Sequence, residues 1–374
     1  MPHKATLKEI AKLFLKLGII GFGGPAAHIA MMRQEVVSKK KWLSEQHFLD
    51  LIGATSLIPG PNSTEMAIHI GHEKGGWKGL IVAGVCFIMP AVLITGVLAY
   101  FYKKYGQQPE AQVFLYGIKP AIIAIILAAI YPLAKNSIKT TPLGIIALTA
   151  LALSLLKYDE IYILLGAGLL ALLYSKFKSG QTFSLIPLTL SQITKTTLVT
   201  ASNWNLFLIF LKIGAILYGS GYVLFAFLDT ELVSTGLMSR ATLVDAIAIG
   251  QFTPGPVFSS VTFIGYQING LLGAIVATIA IFIPSFLFVA LLNPLVKRMR
   301  NSPSISVFLD AVNVASVAII VAICWQMGRD SILDWRTLFI AVSCAAVTIG
   351  YPKVNSAFIV IYGALAGYLL SYLG

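Results

Sequence analysis

Long apolar runs, nearly free of charge, recur along the whole chain and decide its fold class. Leu80–Phe101, Ile118–Leu133, Leu143–Leu156 and Gly270–Leu292 are such runs, and about 20 apolar residues suffice for an α-helix to cross hydrocarbon. Of the 374 residues, 57% are apolar and only 11% charged, against about 25% charged in an average soluble domain. A soluble globule of this size cannot hide so much apolar surface. The chain has no succession of ten-residue alternating segments, which argues against an outer-membrane barrel, and open sheets leave their backbone unsatisfied in lipid. The expectation is an all-α polytopic protein of the cytoplasmic membrane, in contact with lipid.

The formal charge of +12 would hint at nucleic acid in a soluble protein. Here the basic residues punctuate the apolar runs. Lys39–Lys41, Lys103–Lys104, Lys176/Lys178 and Lys297–Arg300 are short clusters of the kind that fix topology by staying on the cytoplasmic side. No nucleic-acid partner is expected. Cys86, Cys324 and Cys344 lie far apart within apolar stretches and give neither a disulfide framework nor a ligand spacing. Met1–Lys16 lacks the pattern of a cleavable signal, because Lys4, Lys8, Lys12 and Lys16 alternate with Leu7, Ile10, Phe14 and Leu17. That pattern predicts a helix lying on the membrane surface.

The chain is internally duplicated. Lys16-Leu-Gly-Ile-Ile-Gly-Phe-Gly-Gly24 aligns with Lys212-Ile-Gly-Ala-Ile-Leu-Tyr-Gly-Ser220, Phe48-Leu-Asp50 with Leu243-Val-Asp245, and Pro59-Gly60-Pro61 with Pro254-Gly255-Pro256. Gly71, Gly76, Gly79 and Pro90 meet Gly265, Gly270, Gly273 and Pro284, so the offset drifts only from 196 to 194. The expected units are an N-terminal repeat (1–180), a linker (181–206) and a C-terminal repeat (207–374). Arg33–Glu45 plus His72–Lys78 hold six Lys/Arg, whereas their counterparts hold only Arg240. Opposite bias in equivalent loops predicts opposite sides of the membrane, hence an inverted repeat of about five spans each. Lys103–Lys104 would then have to face outward, against the charge rule.

Each half contains two places where a membrane helix cannot run on. The first is Gly21-Phe-Gly23-Gly24-Pro25, matched by Tyr218-Gly-Ser-Gly221; the second is Pro59-Gly60-Pro61, matched by Pro254-Gly255-Pro256. Proline removes an N–H and clashes with the preceding turn. Broken backbone at membrane depth survives only where protein or a water-filled cavity surrounds it, so matched breaks mark a substrate site near the midplane. The alternative for any single break is a plain kink or an interfacial turn.

A polar helix start, Asn62-Ser63-Thr64-Glu65, follows the first Pro-Gly-Pro. Asn62 or Ser63 is a competent N-cap, and the free N–H groups of the first turn, with the hydroxyls of Ser63 and Thr64, suit an anion. Glu65 and His69 are four residues apart and share a face, as a proton relay requires, although Glu65 could equally complete a capping box with Asn62. His28 and Arg33 follow the glycine break, and the planar Arg33 fork suits a tetrahedral oxyanion; a topology charge or a salt bridge to Glu35 or Asp50 is the alternative. In the second half these positions are Leu224, Asp229, Ser260 and Ile264, so the specialised chemistry falls on the first repeat, with Thr253, Gly255, Ser259 and Ser260 as its matching groups. Glu65, His69, His72 and Glu73 match no established zinc motif, and no metal or other cofactor is expected.

These residues resemble those of the chromate ion transporter (CHR) superfamily in its long, two-domain form. The likeness is carried by Phe22-Gly-Gly-Pro-Ala-Ala-His-Ile-Ala30, Met32-Arg-Gln-Glu35, Trp42-Leu43, Phe48-Leu-Asp50, Leu57-Ile-Pro-Gly-Pro-Asn-Ser-Thr-Glu-Met-Ala-Ile-His-Ile-Gly71, and Ala83-Gly84 with Phe87 and Pro90-Ala91. Gly250-Gln-Phe-Thr-Pro-Gly-Pro256 and Ala277–Pro284 carry it in the second half. The resemblance implies a secondary transporter, not an enzyme, that exports chromate or a similar oxyanion such as sulfate. An anion channel, or an intramembrane enzyme using Glu65, His69 and His72, remain the alternatives, and a homodimer is open as the assembly.

Overall fold

The computed structural model describes residues 5–106, 108–178, 201–218, 221–300, 302–351 and 354–371, with backbone alone for 109–110, 178 and 292–300. Among these residues the regular structure is helical throughout. The first half holds α1 (Leu7–Ile20), α2 (Gly24–Arg33), α3 (Glu45–Thr55), α4 (Asn62–Tyr105), α5 (Pro109–Ser137), α6 (Thr141–Leu155) and α7 (Glu160–Lys178). The second holds α8 (Asn203–Ile216), α9 (Leu224–Leu228), α10 (Arg240–Phe252), α11 (Ser260–Arg300), α12 (Pro303–Ser331), α13 (Trp335–Gly350) and α14 (Ser356–Ser371). Among the described residues five helical stretches, four of them within α4, α5, α7 and α12 and the fifth running from Val257 through α11 to Leu291, are long and apolar enough to cross a membrane. The linker expected at 181–206 lies mostly outside the described residues, and its last residues begin α8.

Asn62–Tyr105 is not one straight rod. Residues 71 and 79 of a straight helix would stand about 12 Å apart, yet a Cβ added to Gly71 would lie 2.4 Å from the Gly79 carbonyl. The chain doubles back at Gly76, whose φ of 60° and ψ of −150° suit glycine. Gly270 does the same (φ 62°, ψ −152°), and Gly265 packs on Gly273. The short limb of α4, residues 62–75, therefore returns to the face that α3 enters from, and His47 Nε2 to Glu73 Oε1, 3.3 Å, clips the two ends together. In the second half Thr242 and Gln267 line one cavity at the same place.

The long limb of α4, residues 77–105, runs from the base of the first hairpin to the base of the second. At its far end Gln267 Nε2 donates to the Ala99 carbonyl (2.9 Å), and Lys103 Nζ lies 5.7 Å from the Tyr266 ring. The two hairpins thus open on opposite faces, which makes the repeat inverted. One face carries Lys39–Lys41, Lys78 and Lys139; this basic face is the cytoplasmic one by the charge rule. Lys103–Lys104 do sit on the far face, where Asp229 and Asp330 pair with Arg240 and Glu231 pairs with Lys212. Among the described residues each half makes four passages (the long limb of α4 or α11 and three further helices) besides its hairpins, where about five spans were expected, and α7 ends on the basic face whereas α8 begins on the far one.

α1 corrects the expectation of a surface helix. Its apolar stripe, Ile10, Leu13, Phe14 and Leu17, is buried, and it runs beside α4 so closely that a Cβ on Gly18 would stand 2.6 Å from the Phe87 carbonyl. Gly214 of α8 meets the Ile281 carbonyl in the same way. The stripe that could have faced lipid packs on protein, and α1 descends into the bundle to the first break. Lys16 and Lys39 both reach Glu35 at 2.9 Å, and these hydrogen bonds hold the Glu35 carboxyl below its ordinary range. Lys212 and Glu231 repeat the Lys16–Glu35 pair at 2.5 Å. Cysteines introduced at the exposed Lys40 and Ser234 should react with impermeant maleimides from opposite sides; reaction from one side would sink the inverted arrangement.

Candidate functional site

The first break ends α1 at Gly21 and starts α2 behind Gly23, which is left-handed (φ 98°), with Pro25 in the first turn. His28, one turn on, is buried. Its Nε2 lies 2.8 Å from the Gly21 carbonyl and its Nδ1 3.2 Å from Ser63 Oγ. A carbonyl only accepts, so Nε2 carries the hydrogen, and in the neutral ring Nδ1 accepts from the Ser63 hydroxyl. His28 thereby fastens the start of α2 to the start of α4.

Pro59-Gly60-Pro61 begins α4 differently from the sequence expectation. The N-cap is Pro61, with no side-chain cap, and Asn62 is the first helical residue. The amides of Thr64 and Glu65 donate to the Pro61 carbonyl at 2.7 and 3.1 Å. Pro61 has no N–H, so Glu65 has no N-cap donor to accept from and forms no capping box. Asn62, Gly23, Gly24 and Pro25 instead line one cavity of about 510 Å³, together with Asn136 and Asn313. Two helix N-termini, with their partial positive charge, thus border a common space that reaches the basic face beside Ser137.

Behind this wall lies a set of buried polar atoms with no hydrogen-bond partner in the protein: Thr64 Oγ1, both oxygens of Glu65, both nitrogens of His69 and Ser285 Oγ. Glu65 and His69 are fully enclosed. Leaving such groups unpaired costs on the order of 1–3 kcal/mol each, which a folded chain tolerates where a ligand, water or proton is to be handled. Gly60 holds the set together. A Cβ there would stand 2.2 Å from Glu65 Oε1 and 2.7 Å from Ser285 Oγ, and its φ is +134°. The second half contributes a mirrored set: the Ser259 and Ser260 hydroxyls and the Gln251 amide nitrogen are likewise unpaired, as is the Thr95 hydroxyl on the long limb of α4, while Thr253 donates to the Gly250 carbonyl at 3.3 Å. Pro254-Gly255-Pro256 packs against the long limb of α4 at Ala91, and a Cβ on Gly255 would lie 2.9 Å from the Ala91 Cβ.

Not every expected residue joins this site. Arg33 lies at the exposed end of α2, where its Nε donates to Glu45 Oε1 at 2.7 Å, roughly 14 Å along the helix from Gly24. The expected alternatives, Glu35 and Asp50, are not its partner. His72 packs edge-on to Trp77 and Glu73 pairs with His47, so neither converges on Glu65. Thr95, Asn136, Gln251, Ser285 and Asn313 were not singled out by sequence; Thr95 and Ser285 are isolated polar residues in apolar runs, which is the only signal they give, and Asn136 sits in a polar helix end, Lys135-Asn-Ser137, that reads as an ordinary terminus.

An inverted pair of broken-helix repeats around a shared, buried polar site defines a multi-pass membrane transport protein. The sequence comparisons agree: the chromate transporter family model matches residues 8–172 and again 204–368. The "Chromate transport protein" of Cupriavidus metallidurans is 31% identical, covering 98% of this chain and 94% of its own. The "Probable chromate transport protein" of Synechococcus elongatus is 30% identical over 97% of this chain and 95% of its own, and a "Chromate transport protein" of Pseudomonas aeruginosa 26% identical over 99% and 94%. No solved structure matches. The chain belongs to the chromate transporter family.

Gly60→Ala should destabilise the protein by about 1–3 kcal/mol from its backbone conformation alone, beyond the displacement of Glu65. Gly166→Ala, where the added methyl meets nothing within 4 Å, should be neutral or mildly stabilising. Thermal unfolding in detergent compares the two; equal effects would remove Gly60 from this role.

Proposed function

We propose that this chain carries chromate, or a similar tetrahedral oxyanion such as sulfate, out of the cytoplasm as a secondary transporter. The observation that carries the reading is the convergence of two helix N-termini, at Gly23–Gly24 and at Asn62, on one cavity open to the basic face. A dianion there meets the N-termini of α2 and α4 and the Asn62 amide, with the buried Thr64 hydroxyl and the Gly60 turn behind them. Ser63 serves through its backbone N–H, because its hydroxyl is given to His28. Gly255 and Ser259 offer the corresponding surface from the second repeat, and Arg33 recruits anions at the mouth. The names of the relatives supply the substrate class.

Energy comes with the charge. An inside-negative potential favours outward movement of a dianion by roughly 4.6 kcal/mol per 100 mV, so export needs no ATP. Glu65 and His69 add proton coupling, since a dianion beside Glu65 repels its ionised form and acid therefore tightens substrate binding. An alternating-access transporter is favoured over a channel because the polar residues that mirror the cavity in the other repeat, Gln251 and Thr253, are closed off from the far face.

Proteoliposomes loaded with unlabelled chromate should accumulate labelled chromate transiently by counterflow. Uptake that neither saturates nor responds to internal anion would mean a channel, and absence of flux would end the reading. Asn62→Ala should weaken substrate binding by about 1 kcal/mol, five- to tenfold, without loss of expression. Glu65→Gln keeps the shape of the side chain but not its titration, so transport by this variant should lose its pH dependence while potential-driven flux persists. A wild-type pH profile in Glu65→Gln would leave the carboxylate without a part in coupling.

A further inference from the structure

The inverted repeat allows the cavity at the basic face to be compared with its own mirror image. α5 and α12 are 29 residues each and lie 194 apart in number throughout. Each residue lining the cavity therefore has a counterpart on the other side. Ile58 corresponds to Thr253, Ser56 to Gln251, Asn62 to Val257, Leu133 to Met327, Ser137 to Ser331 and Asn313 to Lys119. The first member of each pair except Asn313–Lys119 comes from the stretch between the end of α3 and the end of α5 in the first repeat, Asn313 comes from α12, and all six first members line the 510 Å³ space. Their counterparts in the second repeat and at the end of α12 are closed in by protein. Thr253, Gln251, Val257, Met327 and Ser331 are each 7% exposed or less, and the Gln251 amide nitrogen is buried without a partner. One side is open and its mirror is shut.

The shut side differs in charge as well. Where the open cavity has Asn313, its mirror has Lys119, whose Nζ lies 3.4 Å from Asp245 Oδ1 with the carboxylate side chain only 3% exposed. Asp245 Oδ2 accepts a 2.6 Å hydrogen bond from Tyr102. Tyr102 in turn floors a cavity of about 300 Å³, lined also by Ser239, Thr242 and Gln267, at the far face. Burying an ion pair costs desolvation that its attraction barely repays, so a pair inside a membrane protein is weak evidence for stability and strong evidence for use. This pair is also loose: at 3.4 Å it lies beyond the usual length of a charge-assisted hydrogen bond, and Oδ1 makes no other.

We propose that the mirror of the open cavity is the exit path to the far face, that Lys119–Asp245 with Tyr102 is the gate holding it shut, and that Lys119 is the cation an oxyanion meets there. An oxyanion reaching this path competes with Asp245 for the ammonium, which trades one anion for another and so leaves no buried charge unpaired while the gate opens. Asp245, held by the Tyr102 hydroxyl, reclaims Lys119 when the anion leaves. The second part rests on the transport reading above; the gate itself does not.

Two readouts separate them. In a background with Cys86, Cys324 and Cys344 replaced, single cysteines at Met327 and Asn313 report the shut and open sides. Neutralising the pair in Asp245→Asn/Lys119→Gln should raise maleimide labelling of Met327→Cys from the far face at least tenfold and lower that of Asn313→Cys from the basic face. Unchanged labelling at both, or a rise at both as in general unfolding, overturns the gate. In chromate counterflow, Lys119→Gln should fall at least tenfold, Lys119→Arg should retain most activity, and the exchange Lys119→Asp/Asp245→Lys should keep the folded protein but not the flux. Wild-type flux in Lys119→Gln, or restored flux in the exchanged pair, overturns the role of Lys119. If the wild-type protein moves no chromate while reciprocal labelling persists, the gate stands and the substrate reading falls.

Discussion

Two hydrogen bonds between the halves govern the arrangement of everything around them. The Gly60 amide donates to the Leu217 carbonyl at 2.8 Å, and the Gly255 amide donates to the Gly21 carbonyl at 2.7 Å. Gly60 matches Gly255 and Gly21 matches Leu217 in the repeat, so these are one contact made twice with the roles of the halves exchanged. Each joins a Pro-Gly-Pro break to the other half's first break, at the depth where backbone groups have no water to turn to. A break exposes donors and acceptors that a continuous helix would have satisfied. Here the exposed groups of one repeat are the partners of those of the other, and the hairpins of both are thereby pinned tip to tip.

The same symmetry shows what divergence has kept and what it has altered. Arg33 pairs with Glu45 at one base; at the other, the equivalent residues Asp229 and Arg240 pair through two contacts of 2.8 Å with the charges exchanged. The bond was needed and its polarity was not. Around the tips the reverse holds, since backbone geometry is shared but Glu65 and His69 face only Ser260 and Ile264 as counterparts. At the tips the structural skeleton is thus duplicated while the Glu65 and His69 pair occurs only in the first repeat.

Much of this was legible in the chain. Proline and glycine declare themselves locally, so the breaks, the repeat and the inversion could be read from Pro59-Gly60-Pro61, from Gly76 and Gly270, and from the unequal lysines of matching loops. What could not be read was depth. An amphipathic stripe such as Ile10–Leu17 buries equally well in lipid or against α4, and only the close fit of Gly18 on Phe87 decides. Asn62 looked like a cap because Pro61 before it gives no sign of where helical geometry begins. Arg33 lies on the same helix as the break, but ten residues of helix carry it to the surface. Lys119 and Asp245 are 126 positions apart, and no local pattern links a lysine before Pro120 to an aspartate in another repeat.

The paired tips also impose an order on biosynthesis. Gly60 enters the membrane with its N–H directed at a carbonyl that the ribosome has not yet made, since Leu217 lies about 160 residues downstream. At roughly 5–20 residues per second, that donor waits some 8 to 30 seconds, and Gly21 waits longer still for Gly255. For that interval the first hairpin is a membrane segment with an open broken tip, which must be hydrated or sheltered by another chain until its sister arrives. The nascent protein is therefore most exposed to quality control midway through its own translation.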